Sequence, residues 1–161
     1  MSQARPNHSY DDFRKNAAAA YAAMMALGKA IDDSGLEKSL TELVKLRASQ
    51  INGCAFCLQL HANKAREIGI PPEKIDLVAA WRETTDTFSQ PEIAALALTE
   101  VLTKLAEGDA LDRAYADVAR HFDDDQILFL TMTIAMINQW NRIAVGLRFP
   151  PPARRRASTA A

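Results

Sequence analysis

The chain has 161 residues, of which 48% are hydrophobic, and a formal net charge of −1. That length suits one domain, with enough apolar residues for a core that needs no disulfide staples. The near-neutral balance excludes the basic footprint of a nucleic-acid binder, and the longest apolar run, "ILFLTMTIAMI" at 127–137, is too short to span a bilayer.

The pattern is helical almost throughout, with glycine and proline as punctuation. Ser9-x-x-Asp12 resembles a capping box and opens a first helix through the alanine-rich stretch to Ile31. "DDSG" ends it. Ser34-Gly-Leu-Glu37 reads as a second box, starting a helix with Leu36, Leu40, Leu43, Val44 and Leu46 as its apolar stripe. Asn52-Gly53 breaks the chain before a helix over 53–67, which stops at Gly69 ahead of Pro71 and Pro72. Pro72 opens a short helix through Trp81, and "TTDTFS" is loop. Ser89-Gln-Pro91-Glu92 combines a box with proline in the first turn and predicts a helix to Gly108. A shorter helix starts at Asp109 or Asp112 and ends near His121. The acidic run at 123–125 suits the N-terminus of a last helix, which reaches about Val145. The expectation is an all-α fold of about seven helices in a single domain over 10–149. Residues 1–9 are expected to be a disordered N-terminus, and 150–161 a disordered Pro/Arg-rich tail carrying Arg154, Arg155 and Arg156. "MSQARPNHSYDDFRKN" carries no apolar signal region, which predicts a cytoplasmic protein.

Both cysteines lie in "ELVKLRASQINGCAFCLQLHANKAREIGI", with His61 four residues after Cys57. In a reducing compartment a C-x-x-C is redox-active or metal-binding rather than a structural staple. At about 100° per residue, Cys54, Cys57 and His61 project from one helix face at the N-terminal end. Two sulfurs can then bond across one turn beside an imidazole that exchanges protons near neutrality. A second cysteine can trap a sulfenic acid as a disulfide before it over-oxidises. Helix-terminal N–H groups favour an anion at Cys54, so dipole reasoning makes Cys54 the lower-pKa thiol.

Glu42, eleven intervening residues, then Cys54-x-x-Cys57-x-x-x-His61 resembles the signature of the alkylhydroperoxidase D-like proteins of the carboxymuconolactone decarboxylase family. "LVKLRASQINGCAFC" and "AMINQWNRIAVGL" are similar to that family as well, and the likeness spans about residues 10–150. The resemblance implies an AhpD-like all-helical subunit that assembles into a homo-trimer or homo-hexamer. It also implies a hydroperoxide substrate and a thiol or dithiol reductant protein, with no cofactor, metal or membrane. By the same resemblance Cys57 is the peroxidatic thiol and Cys54 the resolving one, the reverse of the dipole argument. Glu42 and His61 form the implied proton relay. Some members place a histidine just before the second cysteine, and Phe56 stands there, which implies a shorter relay and weaker turnover.

Other readings bound this one. Zinc could be held by two thiolates, an imidazole and a carboxylate, although a C-x-x-C within a helix spreads its ligands poorly. A haem attachment motif needs histidine where Leu58 stands, and a thioredoxin fold needs strands. His8 and His121 read as solvent-facing or structural. Trp140, Asn138, Asn141 and Arg142 read as an amphipathic helix end, with contact to the site or to another subunit as the alternative. Two rival functions are a redox-sensing or disulfide-exchange subunit with little turnover, and a decarboxylase or other lyase of a small carboxylic acid.

Overall fold

Helix starts are where this sequence is most explicit. The structure is a computed structural model that describes residues 8–106 and 108–155. Helix α1 (Tyr10–Asn16) opens at the expected box: Asp12 N donates to Ser9 Oγ at 3.0 Å, and Ser9 N donates to Asp12 Oδ2 at 3.0 Å. The first predicted helix is not continuous. Ala17 leaves helical geometry (φ −118°, ψ 40°), and α2 (Ala18–Asp32) starts anew. The break lets α1 fold back so that Tyr10 and Phe13 pack edge-on against Tyr21.

The second expected box does not form. Ser34 Oγ instead donates to the Ile31 carbonyl at 2.7 Å, and α3 (Lys38–Ile51) begins after Glu37, which makes no side-chain cap. Gly35 at φ +88° and the buried Leu36 fix the entry, so the helix starts one turn late. Helix α4 runs Ala55–Glu67. The helix expected through Trp81 divides into α5 (Pro72–Leu77) and a 3-10 segment (Val78–Glu83) that is distorted at Ala80. Trp81 is held there by donating to Glu100 Oε1 at 2.9 Å. Helix α6 (Gln90–Lys104) carries the Ser89–Glu92 box, α7 spans Asp109–Val118, and α8 (Asp124–Leu147) is capped by a box between Asp123 and Gln126. No strand occurs among the described residues.

Helix α3 is the axis of the fold and packs against α4, α6 and α8. One side sends Leu40 and Val44 into a cluster with Leu98, Val118, Leu130 and Ile134. Leu43 and Leu46 enter a second cluster with Val78, Trp81 and Leu96. Its last turn meets Cys54, Phe56 and Cys57 of the α4 start and Ile137 and Ala144 of α8 in a third. Being enclosed on most sides, α3 also buries Glu42, Lys45 and Ser49. Burial of polar groups at this depth requires partners for each. Beyond α8 the segment expected as a disordered tail is tied down as far as Arg155. Asn63 Nδ2 donates to the Ala153 carbonyl at 2.8 Å, and Arg155 N donates to Asn63 Oδ1 at 2.9 Å. Residues 1–7, most of the expected disordered N-terminus, and Arg156 of the arginine cluster lie outside the described residues.

Candidate active site

The site is built on the turn from α3 to α4. Gly53, at φ +62°, makes a left-handed step that a side chain would strain. Cys54 follows with extended backbone and is the N-cap of α4, one residue ahead of the first turn in which the sequence placed it. Its sulfur takes the role serine usually plays, accepting the Cys57 N–H at 3.3 Å. Cys54 N donates to the Ser49 carbonyl at 3.0 Å, which fixes the cap to the end of α3. Both cysteines are free thiols, and they are only 1% and 2% exposed.

The two sulfurs are electrically unequal. A hydrogen bond from the Cys57 thiol is the main influence on Cys54. Against the cost of burial, and with help from the backbone N–H groups of Cys57 and Phe56 and the Asn141 side chain, it brings Cys54 down to about 6. The same bond pushes Cys57 up, because its proton is held by the neighbouring sulfur, and burial adds to the rise. Near neutrality the pair therefore carries one proton and one negative charge between two sulfurs. The dipole argument for Cys54 as the more acidic thiol agrees with this arrangement.

Glu42 and His61 meet across the α3–α4 interface, with His61 Nδ1 at 2.7 Å from Glu42 Oε2. A carboxylate there makes Nδ1 the donor and leaves Nε2 for the reacting groups. Lys45 Nζ donates to the other oxygen, Glu42 Oε1, at 3.1 Å, and Lys38 lies 3.6 Å from it. Burial alone would raise the Glu42 carboxyl. The His61 hydrogen bond and charge, with Lys45, outweigh it and hold Glu42 at about 2. A carboxylate so firmly ionised orients an imidazole rather than accepting its proton. Lys45, itself 4% exposed, was not foreseen as part of the site, since a lysine three residues after a glutamate looks like an ordinary surface pair.

A cavity of about 190 Å³ opens onto this arrangement. Cys57 and His61 line it, together with apolar groups from α1, α2 and α8, among them Met24, Met25, Met136 and Trp140; Cys54 does not reach it. Tyr10 and Phe56 complete the wall, their rings 5.3 Å apart. A larger groove of about 550 Å³ lies at the opposite end of α3, where Lys74 donates to Glu92 at 2.6 Å and His121 faces the opening. Neither cysteine lines that groove, so the chemistry points to the smaller one. No group of three or more His, Cys, Asp and Glu side chains converges as metal ligands would among the described residues.

Residues 18–101 match the profile of the carboxymuconolactone decarboxylase family. The chain belongs to that family. A relative in Bacillus subtilis (strain 168), the uncharacterized protein YdfG, is 38% identical over 124 residues, which are 77% of this chain and 84% of YdfG. Among solved structures, a protein of unknown function from Agrobacterium tumefaciens, described as a candidate AhpD antioxidant defence protein, is 40% identical with a TM-score of 0.83. The match covers 89% of this chain and 97% of that one. The debrominase Bmp8 shares the fold at 22% identity and a TM-score of 0.77, covering 88% of this chain and 75% of that one. This is thus an AhpD-like member of the family.

All four residues singled out from the sequence converge in this family member: Cys54 and Cys57 at the start of α4, His61 one turn on, and Glu42 facing His61 from α3. His8 and His121 are solvent-exposed and take no part. Asn138 and Asn141 were ambiguous. Both lie in a polar network in which Asn52 Nδ2 donates to Asn138 Oδ1 at 2.9 Å and to Asn141 Oδ1 at 2.8 Å.

Proposed function

We propose that the protein is a dithiol hydroperoxide reductase in which Cys57 meets the peroxide and Cys54 resolves it. The observation that carries this reading is geometric: Cys57 and His61 line one apolar cavity, and Cys54 Sγ lies directly behind, accepting the Cys57 N–H at 3.3 Å. Passage of the Cys57 proton across to the Cys54 thiolate leaves a Cys57 thiolate facing the cavity. That thiolate attacks the terminal oxygen of ROOH; the S–O bond forms, the O–O bond breaks, and RO⁻ leaves. Protonated His61 supplies a proton from Nε2 to give ROH. His61 then takes the Cys54 proton, and the Cys54 thiolate attacks the sulfenic sulfur. The S–S bond forms, the S–O bond breaks, and hydroxide departs as water with the proton from His61. The net change is a two-electron oxidation of the pair that consumes one further proton. An external dithiol restores both thiols by exchange.

Glu42 serves this cycle by fixing the ring with Nε2 toward the cavity, and Lys45 keeps Glu42 ionised. The cavity's apolar wall suits an organic R group. Met25 and Leu60 at its rim, 48% and 42% exposed, are apolar surface of the kind a trimer or hexamer of this chain would cover. Burial of both sulfurs favours one second reading, a redox sensor that oxidises once and is re-reduced slowly. Repeated turnover separates the two. With excess dithiothreitol and an organic hydroperoxide, the reductase consumes many equivalents of peroxide per chain, whereas consumption that stops at one equivalent favours the sensor. Consumption that continues unchanged in Cys57→Ser overturns the assignment of Cys57.

A further inference from the structure

The cavity that Cys57 and His61 share has walls of unequal firmness. Helices α2, α4 and α8 supply most of its lining, among it Met24, Phe56 and Trp140. Those helices are 15, 13 and 24 residues long, and each buries side chains in the fold. The remaining wall is Tyr10, on α1. Helix α1 has 7 residues and buries none of them. It joins α2 at Ala17, where the backbone leaves helical geometry. Among the described residues, its one side-chain hydrogen bond to the remainder of the chain joins Tyr10 Oη and Tyr21 Oη at 3.1 Å. What else holds Tyr10 is ring contact: Phe56, Phe149 and Trp140 lie with ring centres 5.3, 5.7 and 6.5 Å away.

Cys57 is 2% exposed, so a molecule that reaches it must fit the cavity as it stands or move a wall. The cavity holds about 190 Å³. That is little more than the ~150 Å³ of an engineered core cavity that takes up benzene. A compact hydroperoxide is within this limit. A bulkier one requires a wall to move, and the element with the fewest buried contacts moves most cheaply. We infer that Tyr10 sets the size of molecule that reaches Cys57: its ring closes the cavity, and α1, hinged at Ala17, must swing away before a bulky molecule enters. The substrates so selected are compact apolar hydroperoxides. The barrier stands beside the reacting sulfur, since Tyr10 packs on Phe56, the residue that immediately precedes Cys57.

This inference rests on the reading of Cys57 as the residue that meets the peroxide, but its test uses no peroxide, so the two can fail separately. In a Cys54→Ser background Cys57 is the only cysteine of the chain. Its labelling rate is measured at a single pH with iodoacetamide, a small reagent, and with N-phenylmaleimide, a bulky one. The ratio of the bulky rate to the small one cancels the fraction of thiolate, which both reagents need. Tyr10→Ala should raise that ratio about tenfold over the parent. Tyr10→Leu, which keeps an apolar contact but no ring, should move it in the same direction if the alanine variant does not fold. Tyr10→Phe keeps the ring and should hold the parent ratio. Ser89→Ala removes a helix cap at the start of α6, outside the cavity, and should hold it as well. A folded Tyr10→Ala or Tyr10→Leu chain with the parent ratio overturns the proposal. So does an equal rise in Tyr10→Phe or Ser89→Ala, and so does a parent in which iodoacetamide leaves Cys57 unlabelled.

Discussion

Replacing Glu42 with glutamine removes a buried negative charge while keeping the shape of the side chain. In the folded protein that charge faces His61 at 2.7 Å and Lys45 at 3.1 Å, and the carboxylate is 1% exposed. Two estimates of the cost agree. The drop from the ordinary 4.5 to about 2 corresponds to about 3 kcal/mol of preference for the ionised form in the folded state. Removing one partner of a buried ion pair, which leaves Lys45 without its counter-charge, costs about 3–5 kcal/mol. Since the folded value is depressed, the stabilisation is fully present above the unfolded value and disappears as pH falls through the folded one. Urea denaturation should therefore find Glu42→Gln less stable than the parent by about 3 kcal/mol at pH 7. Between about pH 4.5 and 2 the two should converge, because the parent loses what the variant never had. A difference under about 1 kcal/mol at pH 7, or one that does not narrow in acid, would falsify the buried-pair account of Glu42.

Three further outcomes follow from the same geometry. Cys54→Ser should react once with an organic hydroperoxide and leave a sulfenic acid on Cys57 that dimedone traps, whereas Cys57→Ser should yield no dimedone adduct under the same exposure. In the reduced parent protein, the fast phase of alkylation should rise with a midpoint near the value of about 6 set by the Cys57 hydrogen bond to Cys54; a single midpoint near that of an ordinary free thiol would contradict the shared proton. Ser89→Ala, which removes the acceptor of the Glu92 N–H at the start of α6, should lower the urea midpoint by the equivalent of about 1 kcal/mol without altering thiol reactivity.

The all-helical character, most helix starts and the four-residue constellation were legible because each rests on local rules. Capping boxes at Ser9 and Ser89 announce helix starts through side chains that reach only three residues. The box at Ser34 misleads because the tertiary anchor at Leu36 overrides it, and Ser34 turns back to Ile31. The break at Ala17 is likewise invisible locally, since alanine favours continuation and the aromatic contacts of Tyr10 and Phe13 with Tyr21 come from chain reversal. The depth of α3 was hidden for a different reason. Glu42, Lys45 and Ser49 interrupt its apolar pattern and suggest a solvated face, whereas they are partnered by one another, by His61 and by Asn141. Those partners lie up to 92 residues away in sequence, and no periodicity encodes them.

The most direct test is the mass of the intact protein after one reaction. Fully reduced chain is given one equivalent of an organic hydroperoxide, then alkylated and weighed. The account predicts the loss of two hydrogens with no alkyl group added, and a normal doubly alkylatable chain once a dithiol reductant is supplied; Cys57→Ser should show neither change. A parent chain that still takes two alkyl groups after minutes with the peroxide would contradict the dithiol chemistry assigned to this site.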